Sequence, residues 1–77
     1  MGDNVADIVI HIDETLAPAR LKLLADAIRG VDGVVSAGAQ DDTPHLITVL
    51  YNPDNVNSQA ILDKVIHEGC HAKLVGI

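Results

Sequence analysis

Between residues 8 and 12 apolar side chains occupy every second position, Ile8, Ile10 and Ile12 alternating with Val9, His11 and Asp13. That period of two predicts a strand buried on one face. From Leu16 the spacing becomes helical, with Leu21, Leu24, Ile28 and Val31 on one stripe, Thr15 as the expected N-cap, Pro18 in the first turn, and Gly30 and Gly33 as the exit. Residues 34–40 read as a second strand and Asp41-Asp42-Thr43-Pro44 as a polar turn. A third strand follows over 45–51, with Ile47, Val49 and Tyr51 on one face, and Asn52-Pro53-Asp54 ends it. Asn57 or Ser58 caps a second helix that turns Ile61, Val65 and Ile66 inward, with Val56 as a hydrophobic staple and Gly69 as the stop. Residues 72–77 form a last strand.

This order, with a crossover helix in each half, predicts one domain spanning residues 1–77. Right-handed crossovers make it an α+β, ferredoxin-like βαββαβ sandwich. Its four-stranded antiparallel sheet has the last strand beside the first and two helices on one face, leaving the other face bare.

Composition narrows the function. The chain is 48% hydrophobic yet holds a single aromatic residue, Tyr51, so its core must be aliphatic. A net charge of -6 repels phosphate backbones, and the aromatic platforms that single strands stack on are missing, which argues against nucleic acid as a partner. The lone Cys70 excludes an internal disulfide, and the start Met1-Gly2-Asp3-Asn4 has neither the basic nor the long apolar character of a signal peptide or membrane span. The expectation is a cytoplasmic protein without membrane insertion. Enzyme chemistry is not expected either. The chain shows no nucleophile in a recognisable turn and no phosphate-cradling glycine loop, and Asp41-Asp42 reads as a solvated turn.

The segments GVVSAGAQ (33–40), ITVLYNPDNVN (47–57) and VIHEGCHAKLV (65–75) resemble the heavy-metal-associated domain of copper chaperones and metal-pumping ATPases. In that family a glycine-valine pair opens the second strand, a tyrosine, an acidic or amide residue and a proline close the third, and a glycine and an aromatic residue follow the second helix. Counting back from Gly33, the resemblance places the family's two metal cysteines at Ala17 and Arg20, and its methionine at Thr15. Both thiolates are absent. A soft monovalent ion needs two of them held close together, so copper transfer through this turn is not implied. Arg20 brings a cation instead, either pairing with Glu14 or lying solvated on the helix surface. Cys70 falls where the family usually carries an aromatic residue or histidine, in the loop expected to close over Ala17. It is an inert small hydrophobe, the anchor of a mixed metal site, or a link between two chains.

Other ligand types remain. Strand geometry places His11 and His71 opposite or diagonal on the bare face, with Asp13 and Lys73 beside them. His11, His71, Asp13 and Cys70 form a candidate site for a borderline divalent ion, zinc, nickel or cobalt. The alternative is a polar, half-exposed pair on a solvated face, and His45 and His67 read as ordinary surface residues. Val9, Thr48, Leu50 and Val75 add outward apolar surface to that face, and Leu23 and Leu46 add more elsewhere. Two functions follow: metal binding or trafficking through a Cys/His site, or a metal-free module that docks a protein partner or a second copy through its sheet. A ligand-sensing regulatory domain of the same topology is a further alternative, and it would be marked by a small-molecule pocket at a dimer interface.

Overall fold

A computed structural model describes residues 4–40 and 42–75. Residues 1–3, Asp41 of the expected turn and the 76–77 end of the expected last strand lie outside the described residues. The elements are β1 (Ala6–Ile12), α1 (Pro18–Arg29), β2 (Val34–Gln40), β3 (Thr43–Tyr51), α2 (Ser58–His67) and β4 (Ala72–Val75). All strand pairs are antiparallel and the sheet order is β2-β3-β1-β4, so the last strand lies beside the first as the sequence predicts.

The core is the inward stripe of each element. Ile8, Ile10 and Ile12 of β1, Ile47, Val49 and Tyr51 of β3, Leu21, Leu24 and Ile28 of α1, and Ile61 and Val65 of α2 form one buried cluster. Asn57 caps α2 by accepting the backbone N–H of Ala60 at 2.8 Å, and Val56 packs beside the core ahead of it.

Four expectations are corrected. Helix α1 starts at Pro18 with Ala17, not Thr15, at its N-cap, and no side chain caps it. A proline bars the preceding residue from helical angles, and Ala17 accordingly has φ -64° and ψ 152°. Val31 is not on the helical stripe because the helix has ended at Gly30. Ile66 is 49% exposed because Ile61 and Val65 already fill the inward stripe of this short helix. Strand β3 begins at Thr43, inside the expected turn. Pro44 is tolerated there because pairing with β1 starts only at Leu46, so no N–H is missed on that side.

Gly33 and Gly69 both have φ +95°, but their surroundings differ. A Cβ at Gly33 would sit 2.8 Å from Val56 Cγ1 and 2.9 Å from Asn55 Cβ, whereas one at Gly69 meets nothing within 4 Å. Gly69→Ala is expected to cost about 1 kcal/mol of backbone strain, and Gly33→Ala at least about 2 kcal/mol because a clash is added. At about 4–8 °C per kcal/mol for a domain this size, thermal melts separate the two. Equal losses would show that the Val56 contact yields freely.

Candidate metal centre at the end of the first strand

The end of β1 and the chain after it carry His11, Asp13 and Glu14, which lie against His45 and His71. His11 lies opposite Lys73 on β4, and the next step of the ladder places Asp13 against His71, the Asp13 N–H donating to the His71 carbonyl at 2.8 Å. His71 is therefore diagonal to His11, as expected. The side chains nevertheless turn to different partners.

His71, 84% exposed, bonds Glu14: its Nδ1 lies 2.7 Å from Glu14 Oε2, and its backbone N–H donates to both carboxylate oxygens at 2.9 and 3.0 Å. The imidazole hydrogen bond, followed by the backbone one, holds the Glu14 carboxyl below its ordinary value of 4.5. The same side-chain bond, reinforced by the charge of Glu14, raises His71 above 6.5. The histidine's contribution is complete below 6.5 and is lost as pH rises through its raised folded value. The carboxylate's contribution is complete above 4.5 and is lost as pH falls through its lowered folded value. The pair therefore stabilises the fold most between pH 4.5 and 6.5. Wild type should exceed Glu14→Gln in stability chiefly within that window, measured as paired urea melts across pH. A difference that does not vary with pH would show the ion pair contributes nothing.

His11 Nδ1 is 3.3 Å from Asp13 Oδ1, but their geometry is too poor for a hydrogen bond and this buried nitrogen has no other partner. Its ring stacks on His45, with centroids 6.1 Å apart and planes 19° from parallel. His45 is thus no ordinary surface residue: its Nδ1 lies 3.2 Å from the Ile12 carbonyl. A carbonyl can only accept, so Nδ1 is the donor in this contact and Nε2 is the ring nitrogen left outside it. Sequence patterning carried no signal for this contact, because the β1–β3 register that pairs His11 with Leu46 and brings His45 to Ile12 belongs to the tertiary structure.

Cys70 is 5% exposed and belongs to the core cluster, so in this conformation its sulfur is a packing group and not a surface ligand. Among the described residues, no three His, Cys, Asp or Glu side chains converge closely enough to hold a metal ion. The expected set of His11, His71, Asp13 and Cys70 is therefore not drawn together within one chain, because Glu14 takes His71 and the core takes Cys70.

The turn itself is closed by Arg20. Its Nη2 donates to the Glu68 carbonyl at 2.7 Å, a half-buried contact that ties the first turn of α1 to the end of α2. The negative end of the α2 dipole favours a cation there. Arg20 is thus neither solvated nor paired with Glu14.

No family profile matches the sequence, and no curated protein is detectably similar to it. Solved structures match closely in shape. A copper-binding domain from the P-type ATPase HMA7 superposes with a TM-score of 0.82 at 18% identity, covering 91% of this chain and 93% of that one. Oxidized MerP from Ralstonia metallidurans CH34 gives 0.83 at 14% identity, covering 94% and 99%. The CopZ metallochaperone gives 0.79 at 16% identity, covering 88% and 100%. At such identities the likeness establishes the fold, and the chemistry rests on this chain's own residues. No described helix is long and apolar enough to cross a membrane.

Proposed function

We propose that the chain is a divergent heavy-metal-associated domain that takes part in metal handling, binding a borderline divalent ion through histidine instead of copper(I) through paired thiolates. The observation that carries this reading is the placement of the imidazoles. His45 sets its Nδ1 against a backbone carbonyl and His71 sets its Nδ1 against a carboxylate, so in each ring Nε2 is the nitrogen outside these contacts. This outer-shell pattern is the one that orients metal-ligating histidines. His11 and Asp13 stand next to His45 as further donors. One chain offers too few converged ligands for tight binding, so about micromolar affinity is expected unless two copies share an ion across a twofold axis formed by the open sheet face.

Calorimetry with zinc and nickel tests this on wild type, His11→Ala, His45→Ala and His71→Ala. Protons compete for each imidazole, so affinity should fall about tenfold per pH unit per ligand below the histidine value, starting earlier for His71 because its pKa is raised. No binding in the wild type, or unchanged binding in all three variants, would overturn the reading.

The Arg20 contact with Glu68 favours a second reading, a metal-free module that keeps the scaffold and docks a protein partner. Its surface is the open face around Val9, Thr48 and Leu50, with Leu50 exposed. A concentration-dependent dimer in the absence of metal would support this reading over the first.

A further inference from the structure

A half-open cavity of ≈ 450 Å³ lies between α1 and the edge strand β2. Leu16, Leu21, Ala25, Ala39 and Pro44 give it an apolar lining, and Lys22 and Arg29 are the charged residues that line it. Two of the chain's five cations therefore line one cavity in a protein of net charge -6. Arg29 is already engaged, by Asp26 and by the Ala37 carbonyl, whereas Lys22 has no ion pair among the described residues. The cavity also runs up to Thr15, Leu16 and Pro18 at the start of α1, where the first turn has no side-chain cap and no acidic residue. The positive end of the helix dipole therefore adds to the field of Lys22.

We propose that this cavity binds a small organic anion, a monocarboxylate on a short aliphatic body, with the chain against Leu21 and Ala25 and the carboxylate on Lys22. The volume suits a ligand of that size, and the combination of apolar walls with one available charge matches the make-up of small-molecule sites. The proposal does not depend on metal binding.

Amide NMR titration with octanoate, and with octanol as its neutral counterpart, tests it. Octanoate should saturate and shift amides within 15–25 and 38–44, with octanol weaker by about fivefold or more. Lys22→Glu should weaken octanoate about tenfold and leave octanol unchanged, while Lys73→Glu, with the same net charge, should change neither. Ala39 pairs with the buried Ile47, so its side chain points to the helix side of the sheet, and Ala39→Leu should fill the cavity and abolish both complexes. Should that variant fail to fold, Lys22→Glu and the octanol comparison decide alone. Absence of saturable shifts, equal affinity for octanol, or indifference to Lys22→Glu would overturn the proposal.

Discussion

Replacing Ala17 and Arg20 together by cysteine should create a copper(I) site in a chain that has none in this turn. The two positions flank the start of α1, Ala17 as N-cap and Arg20 within the first turn, so the new sulfurs would sit at a helix N-terminus that lowers thiol pKa. Two thiolates at this spacing suit a soft monovalent ion. Neither single substitution should suffice, because each supplies one sulfur and Cys70 is held in the core. Arg20→Cys also removes the charged hydrogen bond to the Glu68 carbonyl, which should cost about 1.5–3 kcal/mol, so metal-free variants should melt lower and regain stability when copper(I) is added. Competition with a strong copper(I) chelator under anaerobic conditions gives the answer. If the wild type competes and Cys70→Ser does not change this, a copper site exists that the turn does not explain.

The largest loss of stability is expected from Ile10→Ala. Ile10 is 0% exposed at the middle of β1, an inner strand with β3 on one side and β4 on the other, and its partners across the sheet are Ile47 and Leu74. Truncation removes buried apolar surface and leaves a cavity that the surrounding sheet cannot close, which costs about 2–5 kcal/mol. Marginal stability of roughly 0.05–0.15 kcal/mol per residue makes that a large share of the whole, and Tm should fall by roughly 8–40 °C. Leu23→Ala on the outer face of α1, where Leu23 is 61% exposed, should stay within about 0.5 kcal/mol. If both variants melt alike, burial is not what holds this sheet to its helices.

What the sequence determined by itself was the frame. The alternation of Ile8, Ile10 and Ile12, the stripe of Leu21, Leu24 and Ile28, and the cap at Asn57 are local patterns, and each states its element because strand and helix periods differ. Once the order of elements was known, handedness and sheet pairing left one topology with the last strand beside the first, while the register that sets Asp13 against His71 was decided by the structure. That the chain holds a single cysteine, and so no pair of thiolates, could also be read directly. The start of α1 is not legible locally: Thr15 is a good cap in isolation, while Pro18 disfavours helical angles at its predecessor and puts Ala17 at the N-cap. The partners of the polar side chains were decided only in three dimensions. Arg20 with Glu68, Glu14 with His71 and His45 with the Ile12 carbonyl join residues 48, 57 and 33 positions apart. Periodicity carries no information about such pairs, because they depend on how rotamers and loops fall at one end of the sheet. The burial of Cys70 was settled the same way: it depends on the closing of α2 and the start of β4 over the core, not on the residues beside it in the chain.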